Sequence, residues 1–68
     1  MESKKEIKAY CTGKMKALVR DHNHYNKVNY KEAVTDYRTA IDDLIYYASR
    51  YGIKMGYKVE QNGDITVA

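Results

Sequence analysis

The fold of this chain is decided by residues 29–52, which read NYKEAVTDYRTAIDDLIYYASRYG. Apolar and aromatic residues recur there at alternating spacings of three and four, which is the pattern of one face of an α-helix. An asparagine at the start, a glutamate three residues later and a glycine after the last apolar residue are helix boundary signals. The stretch therefore predicts a helix over residues 30–51, with Asn29 as its N-cap.

Tyrosine is the only aromatic residue type in the chain, with eight Tyr and no Phe or Trp. We expect Tyr30, Tyr37 and Tyr51 to lie on the apolar stripe of the predicted helix, which forms its core face. At 100° per residue this stripe covers an arc of roughly 160°, wider than contact with one other helix requires. Because each tyrosine hydroxyl needs a hydrogen-bond partner, the face is expected to end at a wet boundary, an interface or a ligand.

The residues before this stretch predict a first helix. Ser3 and Glu6 form a capping box, and Ile7, Cys11 and Met15 then recur at helical spacing. This predicts a helix over residues 4–21. The polar segment that follows breaks the apolar pattern, so residues 22–28 are predicted to connect the two helices.

The tail predicts a β-hairpin, with strands over residues 53–60 and 64–68. A three-residue loop with Gly63 in the left-handed conformation pairs Val59 with Ile65. A two-residue turn would instead place the apolar residues of the two strands on opposite faces. The preferred register puts four residues on one face, which we expect to be buried: Tyr57, Val59, Ile65 and Val67.

The predicted architecture is α-α-β-β, a single small α+β domain over residues 1–68. A chain of this length buries only ~60% of the surface that its unfolded form exposes, so it is marginal alone. A lone two-stranded hairpin also leaves its edges open. We therefore expect a homodimer, in which either the hairpins join into a four-stranded sheet or the tyrosine stripes pack together. The alternative is a monomer with one charged edge strand.

Charge and cysteine content bear on the contacts that the protein favours and on its cellular compartment. The net charge is +3, and residues 1–31 carry eight Lys or Arg against three acidic residues. This favours anionic contacts near the N-terminus, although oppositely charged helix faces that attract each other explain it as well. Cys11 is the only cysteine, which fits a reducing cytoplasmic compartment. There is no signal-peptide pattern and no apolar run approaching ~18 residues.

The residues that could carry catalysis are few, and we expect no enzyme activity and no cofactor. Cys11 lies on the apolar arc of the first helix, where a buried core role is expected. Asp21, His22 and His24 could contribute to a metal site, but the sequence offers no second ligand cluster. We interpret these three as polar residues of the connection.

The leading functional hypothesis is a small non-catalytic binding protein that acts as a regulator or inhibitor by occupying a protein partner. Its size and composition are typical of small accessory proteins of phages and mobile elements. Tyr46 lies opposite the apolar stripe among charges, as either a single exposed aromatic or an interface anchor. The adjacent carboxylates of Asp42 and Asp43 are either part of a solvated face or a contact for a basic partner. The predicted partner-binding residues are Tyr46, Tyr47, Asp42, Asp43 and Arg50.

The alternative hypothesis is binding of nucleic acid or a nucleotide-like anionic small molecule. Lys14 falls inside the apolar arc of the first helix, where it either extends along the surface or faces an anion. Tyrosine rings that stack on bases, together with lysines that contact phosphates, hold single strands without reading sequence. The predicted residues for this site are Lys14, Tyr10 and Tyr37.

Overall fold

The computed structural model describes residues 3–68 and has the predicted order of two helices followed by an antiparallel hairpin. The helices are α1, Lys4–Lys27, and α2, Lys31–Ser49. The strands are β1, Tyr57–Val59, and β2, Ile65–Val67. Neither helix, as far as the chain is described, is long and apolar enough to cross a bilayer.

Helix α1 begins as predicted but ends later. The hydroxyl oxygen of Ser3 accepts a hydrogen bond from the Glu6 backbone N–H at 3.2 Å, which caps the first turn. The predicted end at residue 21 is wrong, because the helix continues to Lys27. The polar residues that were predicted to form a connection are instead helical, and two of them, Asn23 and Asn26, bind the hairpin.

The connection between the helices is short and places Asn29 differently from the prediction. Asn29 is not an N-cap but adopts a left-handed conformation, with φ of 62°. Its N–H donates to the Asn26 carbonyl, and the Tyr30 N–H donates to the Tyr25 carbonyl, which closes α1. Asparagine tolerates this conformation better than most residues. Tyr30 is the N-cap residue of α2, and its side chain makes no capping hydrogen bond.

The end of α2 and the hairpin register follow the sequence closely. Gly52 has a φ of 74°, and the Ile53 N–H donates back to the Ala48 carbonyl, as predicted for a left-handed cap. Val59 pairs with Ile65, and Gly63 has a φ of 93°, so the three-residue loop is confirmed. The strands are shorter than predicted, because only Tyr57–Val59 and Ile65–Val67 pair with each other; Ile53 lies before the paired segment and packs into the core.

The core lies between the two helices, with the hairpin over one side. It is built mainly from aliphatic and sulfur-containing residues rather than tyrosine: Ile7, Cys11, Met15, Ile41, Leu44, Ala48, Ile53 and Ile65. The prediction that Tyr30 and Tyr51 lie in the core is wrong, because both are exposed. The hairpin face is also less covered than predicted, since Val59 and Val67 are 53% and 52% exposed.

A chain of hydrogen bonds attaches the hairpin to the helices. The Asn23 side chain donates to the Ile65 carbonyl and accepts from the Ile65 N–H, both at 2.9 Å. The fully buried His22 accepts from the Arg38 guanidinium, which can only donate. His22 therefore carries its proton on Nδ1, 3.0 Å from the Asn23 oxygen. Arg38 also lies over the Tyr57 ring, 5.7 Å from its centroid.

Candidate functional site

An open groove of about 500 Å³ runs between α1 and α2. Its floor is apolar, and its rims carry aromatic and charged side chains. The residues from α1 are spaced by four, and those from α2 fall at i, i+3, i+4 and i+7, so each set lies on one helical face. The groove is lined by Tyr10, Lys14, Leu18, Ala40, Asp43, Leu44 and Tyr47.

The antiparallel arrangement of the helices determines which residues meet across the groove. Tyr10 and Tyr47 lie at one end, with their ring centroids 6.5 Å apart in an edge-to-face arrangement. The ring of Tyr51 continues this group and lies 5.2 Å from that of Tyr47. Tyr10 is 57% exposed and Tyr47 is 37% exposed, so the aromatic end of the groove meets solvent.

Two opposite charges line the middle of the groove. Lys14 lies on α1 and Asp43 on α2, and both are exposed. They do not form an ion pair with each other or with any other residue in the range 3–68. Both charges are therefore free to pair with groups of a ligand or partner.

The groove unites residues from both predicted sites. Tyr47 and Asp43 come from the predicted partner site, and Lys14 and Tyr10 come from the predicted anion site. Lys14 is exposed, in keeping with the alternative in which its side chain extends along the surface. Asp42 instead accepts a hydrogen bond from the Tyr57 hydroxyl at 2.9 Å, which fixes the hairpin to α2.

The remaining predicted residues do not line the groove. Tyr46 is the most exposed tyrosine at 68%, and Arg50 is exposed just after the last residue of α2. Tyr37 lies one turn before Ala40 and stacks on Tyr25, with ring centroids 5.5 Å apart. Burial and the nearby negative charge of Asp21 raise the pKa of Tyr37 above its usual value.

The pKa of Tyr57 is also raised above its usual value. Burial is the main cause, and the hydrogen bond to Asp42 and the negative charge of that carboxylate add to it. All three effects favour the neutral phenol, which can donate to the carboxylate. Tyr57 is therefore a structural donor at neutral pH.

The residues considered for metal binding are dispersed. His22 is buried and bonded to Arg38, whereas His24 is exposed. No group of three or more His, Cys, Asp or Glu side chains that could hold a metal occurs within residues 3–68. Cys11 is free and fully buried in the core, as predicted.

Sequence reasoning missed the groove floor and the attachment of the hairpin. The floor residues Leu18, Ala40 and Leu44 were visible as apolar positions, but only the pairing of the helices shows that Leu18 and Ala40 stay partly exposed while Leu44 is buried. Nothing in the sequence indicated that Asn23 binds the hairpin, because a polar residue that binds a strand edge cannot be distinguished by its type from any other polar residue of a loop.

Chemically, the groove offers an apolar floor, aromatic rings at one end, one cation and one anion. These are the components of a recognition surface. Comparison of the chain with protein-family models, curated proteins and solved structures finds no match.

Proposed function

We propose that this protein is a non-catalytic binding protein that receives an amphipathic helix of a partner protein in the groove between α1 and α2. The observation that carries the proposal is the open apolar groove with exposed Tyr10 and Tyr47 at one end. Tyrosine is among the residue types that contribute most to binding energy at interfaces. By covering the partner's helix, the protein acts as a regulator or inhibitor.

The shape and charge of the groove favour a helix as its occupant. Residues Tyr10 to Leu18 extend along about 12 Å of α1, which is roughly two helical turns. A third helix can lie in the depression between two antiparallel helices and insert apolar residues spaced at i, i+3, i+4 and i+7. Lys14 on one rim and Asp43 on the other favour a helix with an acidic flank on one side and a basic flank on the other.

The alternative of a nucleotide-like anion at this groove has one observation in its favour. Lys14 lies beside the Tyr10 ring in the same groove, as stacking and phosphate contact require. Two observations weigh against it, because Asp43 also lines the groove and Tyr37 is stacked on Tyr25 outside it. A helix that presents both charges satisfies the groove better than an anion does.

Selection from a displayed library of helical peptides tests the proposal. Peptides that bind the wild-type protein should share the apolar spacing given above, with an acidic residue on one flank and a basic residue on the other. The double variant Tyr10→Ala/Tyr47→Ala should bind the selected peptides at least about 30-fold more weakly, as expected for interface hot spots. Exchanging the charges in Lys14→Glu/Asp43→Lys should favour peptides with the flanks reversed.

The matched control is Tyr30→Ala, which removes an equally exposed tyrosine outside the groove. This variant should keep the wild-type affinity. Tyr46→Ala shows whether the surface extends around α2 to the other predicted partner residues, Asp42 and Arg50. Selected peptides that bind the double variant and the wild type equally well would exclude the groove as the site.

The proposal includes a homodimer that forms through the edge of β1. Hydrogen bonds of 2.7 Å from Glu60 to Asp64 and 3.0 Å from Ala68 to Gly56 define the paired positions of the hairpin. The N–H and C=O groups of Tyr57 and Val59 alternate with these and point away from β2. Their edge is open as far as the chain is described, whereas Asn23 covers the edge of β2 at Ile65. A second copy can pair with β1 around a two-fold axis.

The substitution Val59→Pro tests the dimer. Proline removes an N–H that points outward, so the hairpin of each protomer is retained while addition of another strand is blocked. Light scattering after size exclusion should show a dimer for the wild type and a monomer for Val59→Pro. Arg50→Ala serves as a control, because it leaves the strand edge intact. A wild-type monomer at high concentration would remove the dimer from the proposal.

The proposed function also includes a reducing cytoplasmic location, which fits the free buried Cys11.

A further inference from the structure

A second cavity lies on the opposite side of α1 from the groove, between that helix and the tail of the chain. It has a volume of about 210 Å³. Its apolar walls include Met15, Ile53 and Met55. Met15 and Ile53 belong to the buried core, so the cavity reaches from the surface to the core itself. Methionine side chains are flexible and polarisable, which lets such a wall adapt to an inserted chain.

The charged side chains that line this cavity all have the same sign. Lys8 and Lys16 from α1 and Lys54 from the segment after α2 line it, and no acidic residue does. Within residues 3–68, none of these lysines forms an ion pair, since the pairs found there involve Arg20 with Asp21 and Lys58 with Glu60. Three unpaired ammonium groups at an apolar cavity favour an occupant that is apolar at one end and anionic at the other.

We infer that this cavity binds a medium-length aliphatic chain that ends in an anionic head group. The chain enters the space between Met15, Ile53 and Met55, and the head group stays at the surface among the lysines. The cavity is smaller than the range of roughly 300–1,000 Å³ that is usual for drug-sized ligands, so a short, unbranched chain suits it better than a ring system. Burial of methylene groups supplies the affinity, and the lysines determine the preference for an anion.

A series of straight-chain carboxylates tests this inference by NMR titration of protein with isotope-labelled methionine methyl groups. The signals of Met15 and Met55 should shift on addition of octanoate. Each methylene added from butanoate upward should tighten binding by about fourfold until the cavity is full. Octanol and octylamine should bind more weakly than octanoate, whereas octyl phosphate, which is also anionic, should bind at least as well as octanoate.

Charge reversal provides the matched comparison. Lys16→Glu and Lys54→Glu should each weaken octanoate binding by about two- to fivefold, as expected for exposed charge pairs. Lys5→Glu changes the net charge equally on the same helix but does not line the cavity, and it should leave binding unchanged. Thr12→Leu adds bulk at an exposed lining position and should reduce affinity without disturbing the core.

Three results would overturn the inference. The first is the absence of any octanoate-dependent shift at Met15 and Met55. The second is equal binding of octanol and octanoate, because the lysines would then have no role. The third is an equal effect of Lys5→Glu and Lys16→Glu, which would assign the binding to net charge rather than to this cavity.

Discussion

Removal of the Asn23 side chain should separate the hairpin from the helices. In Asn23→Ala, the Ile65 N–H and C=O lose their partners, each at 2.9 Å. The Nδ1–H of buried His22 also loses its acceptor. Leaving such partly buried groups unsatisfied should lower the free energy of unfolding by about 2–4 kcal/mol.

This loss is large for a chain of this size. At typical values per residue, a domain of 68 residues has a stability of roughly 3–10 kcal/mol. The melting temperature of Asn23→Ala should therefore fall by roughly 10–30 °C. Urea denaturation followed by circular dichroism measures the free energy, and amide hydrogen exchange at Ile65 reports on the strand edge directly.

Two further variants distinguish this mechanism from general destabilisation. Asn23→Asp keeps an acceptor for the Ile65 N–H but replaces the donor with a carboxylate oxygen that repels the Ile65 carbonyl, so this variant should also be less stable than the wild type. Asn26→Ala removes hydrogen bonds to Asn62 and Asp64 at the exposed loop and should cost no more than about 1 kcal/mol. A loss below about 0.5 kcal/mol in Asn23→Ala, with unchanged exchange at Ile65, would refute the reasoning.

Three other predictions follow from individual positions. Because the pKa of Tyr57 is raised above 10.0, its contribution to stability is complete below that pH and is lost as the pH rises through the folded-state value. The difference in tyrosinate absorbance between wild type and Tyr57→Phe should therefore appear above pH 10.0. Asp42→Asn should shift this transition to lower pH. A wild-type transition below pH 10.0 would contradict the reasoning. Gly63→Ala should destabilise the protein by about 1–2 kcal/mol in urea denaturation, since the φ of Gly63 is 93° and the added methyl group would lie 3.0 Å from the Asn26 side chain. An unchanged denaturation midpoint would argue against strain at this position. Gly13→Ala, at an open helical position with no atom near the added group, should raise stability by up to about 1 kcal/mol, and a lower melting temperature would count against this.

The sequence by itself determined the order and type of the elements, because these depend on local signals. Helical spacing, the cap at Ser3 and the glycine after α2 act within a few residues of one another. The hairpin register followed from the same local logic, since only one register places Ile65 and Tyr57 on one face. These features could be predicted because their causes lie next to one another in the chain.

Tertiary structure decided which of the tyrosines became exposed and which residues formed the groove. The tyrosines of α2 looked like core residues by spacing, yet the smaller Ile41, Leu44 and Ala48 fill the space against α1, and the larger rings lie at its margins. The polar end of α1 remained helical because the hairpin, about 40 residues further along the chain, supplies partners for Asn23. Tyr10 met Tyr47 only because the helices run antiparallel. Periodicity defines the face of each helix, but the space left between two faces depends on how they pack, and that is a property of the whole fold.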